Sequence, residues 1–129
     1  LTKLPEKVQE ALAKMKNDTA GHTGTVLTLA INYGGRDEII RGIQKLINEG
    51  VSAEDVNEEV FNTHLDTGEL PEVDMIIRTS DHQRLSGYLL WSGSYAELYF
   101  PKIKWPAFTG ENLKEAIDWF REQMRNKGK

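Results

Sequence analysis

Two apolar runs, each ending in a polar cluster, constrain this chain's fold more than anything else in it. Residues 25–31 read TVLTLAI and residues 73–77 read VDMII. Apolar stretches of this length with β-branched residues are what strands covered on both faces look like, as in a parallel sheet. A third strand is expected at residues 96–100. Its alternation sets Tyr95, Glu97 and Tyr99 on one face and Ala96, Leu98 and Phe100 on the other.

Helical spacing fills the intervals. Residues 2–16 carry Leu4, Val8, Leu12 and Met15 on one stripe, with Pro5 in the first turn. Residues 36–48 turn Ile39, Ile40, Ile43, Leu46 and Ile47 inward, and Gly50 stops the helix. Ser52 and Asp55 form a cap-like pair. A short helix is expected at 58–65, burying Val60, Phe61, His64 and Leu65, and another at 85–91. Thr109 caps a last helix over 110–125 with Leu113, Ala116, Ile117, Phe120 and Met124 inward. Strands alternating with helices predict an α/β domain with a mainly parallel sheet flanked by helices.

At 129 residues the chain is long enough for one domain with a core. Its net charge of −4 argues against a general nucleic-acid coat, so any anion site must be local. It has no cysteine, which excludes disulfides and a thiolate nucleophile and suits a reducing compartment. No apolar run approaches the ~20 residues that span a bilayer. The chain opens at Leu1 without a Met, so a missing upstream segment is expected.

In open α/β sheets ligands bind beyond the carboxyl ends of the strands. Two polar clusters fall at such ends: Asn32-Tyr33-Gly34-Gly35-Arg36, and the seven residues from Arg78 to Arg84. Both are expected near one another. An arginine directly after a buried strand has its guanidinium at the sheet rim, where it can fork onto a phosphate. Arg84 and the Ser86 hydroxyl add donors that suit a diphosphate. Alternatively, Arg78 pairs with Asp74 or Asp81 and Arg84 is solvated. Glu97 among aromatics needs a compensating cation, either an arginine or Mg²⁺. Gly34-Gly35 before a helix reads either as an anion-binding helix start or, more simply, as a tight turn. His22, His64 and His82 lack metal-ligand spacing. Trp91, Trp105 and Trp119 read as core or packing residues.

Three blocks together resemble the cis-prenyltransferases, the undecaprenyl diphosphate synthase family. They are NYGGRDEI from Asn32; DMIIRTS from Asp74, continuing to Arg84-Leu85-Ser86 and Leu89-Leu90-Trp91; and YAELYF from Tyr95, followed by Trp105-Pro106 and Phe108. Order and spacing agree over nearly the whole chain.

The resemblance implies repeated addition of isopentenyl diphosphate to an allylic diphosphate such as farnesyl diphosphate, with cis double bonds and Mg²⁺. By position, Arg78, Arg84 and Ser86 would hold the diphosphate of isopentenyl diphosphate. Glu97 would serve the Mg²⁺ across the interface of a homodimer. A cytoplasmic enzyme in peripheral contact with the membrane is implied, with no nucleic-acid partner. The family commonly has Gly-Glu at Asp81-His82, Asn at Gly87 and Gln at Ser92. Arg125 and Gly128 match its basic tail, while Asn126 replaces an Arg.

The family's Asp-Gly-Asn-Gly-Arg loop, which grips the allylic diphosphate and carries the essential Asp, has no match here. Residues 1–129 are therefore expected to be the C-terminal part of a single cis-prenyltransferase domain, a partial fold inactive alone. The alternative is a non-catalytic partner subunit of a heteromeric cis-prenyltransferase.

Overall fold

An extended Gly34 followed by Asp37 and Glu38 in the first turn starts the helix that contributes Leu46 to the buried cluster. Acidic side chains there suit the positive end of the helix dipole. The structure, a computed structural model, describes residues 4–123. Its elements are α1 (Glu6–Thr19), α2 (Gly35–Asn48), α3 (Glu58–Thr63), β1 (Met75–Ile77), β2 (Glu97–Tyr99), a 3-10 turn (Trp105–Ala107) and α4 (Gly110–Glu122). Two compact units divide between Tyr33 and Gly34.

In the first unit, α1 begins after Pro5 and runs three residues beyond the expected end. None of its residues is buried. The expected strand at 25–31 does not form: the segment is irregular, with Val26 82% and Leu27 74% exposed. A strand has no internal hydrogen bonds and exists only against a neighbour. The sheet described in this chain holds two strands, β1 and β2, and this run pairs with neither.

In the second unit, β1 and β2 pair in parallel, with Met75 opposite Glu97, Ile76 opposite Leu98 and Ile77 opposite Tyr99. Each strand is shorter than its apolar run. Leu46, Phe61 and Leu65 form a buried cluster, with Ile39, Val51, Val60 and Trp91 packed against it. Trp91 meets Phe61 edge to face at 4.7 Å, an arrangement aromatic quadrupoles favour. Trp119 packs on Tyr99 at 5.0 Å. Trp105 corrects the packing expectation: it is 72% exposed and, among the described residues, stacked on Phe108.

Only part of the apolar face of α2 is inward. Ile39 and Leu46 reach the cluster, whereas Ile40, Ile43 and Ile47 are exposed. Five apolar positions span more of the helix circumference than the short α3 can cover.

Helix α3 is capped by Asn57, whose side-chain oxygen accepts from the Val60 amide at 3.0 Å. Ser52 instead bonds Asp55 at 2.6 Å in a turn that starts no helix. Arg41 of α2 bridges Asp37 and Asp66, and Lys45 donates to the His64 carbonyl at 2.9 Å. At α4, the Asn112 side chain accepts from both the amide and the hydroxyl of Thr109 at 3.0 Å. The expected end of this helix at Arg125, its apolar Met124, and the tail residues Arg125, Asn126 and Gly128 lie outside the described residues.

The expected helix at 85–91 is replaced by turns. Ser86, Gly87 and Leu89 have φ of 51°, 84° and 46°. Left-handed residues cannot propagate a right-handed helix.

Candidate functional site

The carboxyl end of β1 runs directly into Arg78, whose amide extends the ladder by donating to the Tyr99 carbonyl at 2.9 Å. Two further backbone bonds pin the following loop to the segment after β2. The Ser80 amide donates to the Ile103 carbonyl at 2.8 Å and the Asp81 amide to the Pro101 carbonyl at 3.3 Å. Ser80 and Asp81 both sit at positive φ, 73° and 58°. Such a conformation is uncommon outside glycine, and Asp is among the residues that tolerate it. Asp81 can therefore occupy a place where the resembling family has Gly while keeping the turn. Gly87, at φ 84°, takes a conformation open to Gly and Asn alike.

The structure brings Arg78, Arg84 and Ser86 together. The Arg78 Nη1 donates to the backbone carbonyl of Arg84 and to the Ser86 hydroxyl, the latter at 2.9 Å. No ion pair joins Arg78 to Asp81 among the described residues. Both bonds use Nη1, so Nη2 and Nε stay available as donors. Ser86 accepts from Arg78, so its own proton is free to donate. Arg84 is exposed on the same loop, and its backbone carbonyl is what meets Arg78. A half-buried guanidinium, an exposed guanidinium and a hydroxyl on one strand-end loop can surround an oxyanion of delocalised charge.

The loop is also held from the other side. The Gly35 amide at the start of α2 donates to the Gly87 carbonyl at 2.7 Å. A Cβ at position 35 would lie 2.7 Å from that oxygen and 3.1 Å from Leu90. Gly35 thus serves close packing of a helix start on the loop, a role that neither reading of the Gly34-Gly35 pair named. The expected proximity of the two clusters holds for Gly35.

Glu97 is not part of this group. It opens β2 opposite Met75, at the amino end of the ladder, about 10 Å along the strands from Arg78. The carboxylate is half-buried and forms no hydrogen bond or ion pair among the described residues. Of the two cations it could have met, the arginine is therefore absent among those residues. They contain no cluster of three or more metal-ligating side chains. Mg²⁺ needs only one or two carboxylates when phosphate oxygens and water complete its shell, so a lone available carboxylate fits that role.

One buried residue has a structural role that the sequence reading did not find. Glu38 is 1% exposed and accepts from both the amide and the hydroxyl of Thr67, at 3.0 and 2.9 Å. It ties α2 to the segment leading into β1. In the sequence it reads as a first-turn acid; its position one helical face from Leu46 was the available signal.

Among the described residues no helix is long and apolar enough to cross a membrane. A prenyltransferase family model described as undecaprenyl diphosphate synthase matches residues 1–128. The isoprenyl transferase of Treponema denticola is 44% identical over 99% of this chain and 56% of its own length. The ditrans,polycis-undecaprenyl-diphosphate synthase ((2E,6E)-farnesyl-diphosphate specific) of Vibrio vulnificus is 40% identical over 98% of this chain and 52% of its own. Among solved structures, a probable undecaprenyl diphosphate synthase of Campylobacter jejuni superposes with a TM-score of 0.85 at 36% identity, covering 100% of this chain and 60% of that one. Lavandulyl diphosphate synthase of Lavandula x intermedia, in complex with dimethylallyl diphosphate, gives 0.90 at 30% identity, covering 97% and 56%. The chain spans about half the length of the curated relatives it matches.

Proposed function

The chain belongs to the undecaprenyl diphosphate synthase family of prenyltransferases, and on that footing we propose that the protein carrying it condenses isopentenyl diphosphate onto an allylic diphosphate in cis geometry. This chain corresponds to the part of a single cis-prenyltransferase domain that holds isopentenyl diphosphate. The observation that carries the reading is the meeting of Arg78, Arg84 and Ser86 at the carboxyl end of β1.

Arg78 faces the diphosphate with Nη2 and Nε while its Nη1 fixes the loop. Ser86 donates its free proton to a phosphate oxygen, and Arg84 closes the charge from the loop's outer side. Holding the diphosphate fixes the isopentenyl group relative to the allylic substrate, and such positioning contributes a large share of catalysis in bimolecular transfers. Mg²⁺, when bound, would stabilise the negative charge on the departing diphosphate. Glu97 would be its carboxylate from this chain. Its distance along the ladder from Arg78 favours service to the site of a second copy in a homodimer.

Incorporation of labelled isopentenyl diphosphate into farnesyl diphosphate, with Mg²⁺, tests the reading in the whole protein that carries this sequence. Lengthening polyprenyl diphosphates are expected. A folded protein that binds isopentenyl diphosphate yet extends no allylic primer, and acquires activity only with a second subunit, would instead place it as the supporting subunit of a heteromeric enzyme.

A further inference from the structure

We propose that Gly35 is a positioning residue for the diphosphate loop, acting through the carbonyl of Gly87. The inference rests on the isopentenyl-diphosphate reading of Arg78, Arg84 and Ser86 and identifies what holds their geometry before substrate arrives.

The first four amides of a helix have no partner within it. At α2 one of them, that of Gly35, is committed to the Gly87 carbonyl at 2.7 Å. Gly87 follows Ser86 directly, and both are in the left-handed region. The Gly87 carbonyl lies in the peptide bond that follows, so anchoring it limits the backbone conformations open to Ser86 and with them the direction of its hydroxyl. On the other side of Ser86, Arg78 holds the Ser86 hydroxyl and the Arg84 carbonyl. The stretch from Arg84 to Gly87 is thus fastened at one end by a guanidinium from β1 and at the other by a helix amide.

The second fastening requires two glycines for different reasons. Position 35 admits no Cβ because the Gly87 oxygen and Leu90 occupy its place. Position 87 has open space for a Cβ, with nothing within 4 Å, but its φ of 84° excludes most side chains. A loop held in its binding shape spends less of its interaction energy on ordering when the diphosphate arrives. Releasing the Gly87 carbonyl should therefore weaken diphosphate binding without removing any group that touches it.

The open space at position 87 gives a clean test. Asn tolerates a φ near +80° and Val does not, and the Cβ of either has open space. Calorimetric titration of isopentenyl diphosphate, without an allylic partner, into the whole protein should find Gly87→Asn within about twofold of the parent. Gly87→Val and Gly35→Ala should each bind roughly tenfold more weakly. Melting temperature is followed in each, and the Gly87 pair decides the matter if Gly35→Ala does not fold. Arg78→Ala separates the two levels of the claim. If it loses binding while Gly87→Val binds as the parent does, the clamp is overturned and the site stands. If Arg78→Ala binds as the parent does, the site reading falls and the clamp with it. Equal weakening by Asn and Val would also overturn the clamp, since conformation would then not be the cause.

Discussion

Ser86 has the most constrained role of any single residue here, because its hydroxyl both receives and gives. It accepts from Arg78, and on the proposed reading its own proton goes to the substrate. A charge-assisted hydrogen bond contributes about 1.5–3 kcal/mol. Arg78→Ala and Arg84→Ala should therefore each lower kcat/KM for isopentenyl diphosphate by roughly ten- to a hundredfold. The loss should be greater for Arg78, since its removal also frees the Arg84 carbonyl and the Ser86 hydroxyl. Steady-state kinetics with isopentenyl diphosphate varied will decide; unchanged constants in both variants would return these arginines to a role in solubility. Glu97→Ala makes a separate prediction. The carboxylate has no partner to lose among the described residues, so thermal stability should change by less than about 0.5 kcal/mol. The Mg²⁺ concentration for half-maximal rate should rise. A fall in stability with no change in Mg²⁺ dependence would show a structural ion pair instead.

At the scale of elements, α2 and its C-terminal cap each make a contact that ties the helix to the chain following it. Glu38→Ala leaves the Thr67 amide and hydroxyl without their acceptor, and denaturant unfolding should register a loss of about 1–3 kcal/mol. Glu38→Gln, which retains an acceptor, should lose less. The second contact is titratable. His64, at the C-terminal cap of α3, bonds Glu49 at 3.0 Å and the Val60 carbonyl at 2.7 Å. The Glu49 carboxylate first, then the Val60 carbonyl, raise its pKa above the ordinary 6.5. A raised folded-state pKa means folding favours the protonated form. The stabilisation is complete below the unfolded value and is lost as pH climbs through the raised one. Urea midpoints should fall across that window, and His64→Gln should flatten the fall; an identical slope in the variant would assign the pH dependence elsewhere.

The elements also show how far sequence carries. Helices α2 and α4 were legible because period and start signals agree, down to the Thr109 cap; α3 was legible from its period alone, since Asn57 rather than the Ser52–Asp55 pair caps it. The grouping of Arg78, Arg84 and Ser86 was legible because a strand end and a short polar loop leave few other places for them. Two elements were not. Residues 25–31 have strand composition, but a strand exists only when another accepts its hydrogen bonds, and no local pattern reports that. Residues 85–91 have helical composition, yet three consecutive or near-consecutive left-handed residues turn the chain instead. The cause is tertiary: Gly87 is drawn to α2 and Ser86 to Arg78. Glu38 stayed hidden for a similar reason, since its partner Thr67 is 29 residues away.

Across the whole molecule, family membership and site geometry carry different parts of the account. The family model covers residues 1–128, and it makes prenyl transfer the reaction to be tested. On the proposed reading, the groups of this chain that would face substrate are three at the carboxyl end of a parallel ladder and one carboxylate at its amino end. That separation predicts that Glu97 and Arg78 of one copy do not act on the same diphosphate. In mixed dimers of Arg78→Ala and Glu97→Ala subunits, one site should then combine both lesions and the other neither, restoring up to about half the parental activity per dimer. Mixtures no more active than the separate variants would contradict it.

The most direct measurement is the KM for isopentenyl diphosphate in the whole protein, parent against Arg78→Ala, with farnesyl diphosphate and Mg²⁺ saturating. The account predicts that the parent extends the primer and that Arg78→Ala raises KM at least tenfold or so with the melting temperature retained. A parent that is folded and extends no primer, or a variant with the parent's KM and kcat, would contradict it.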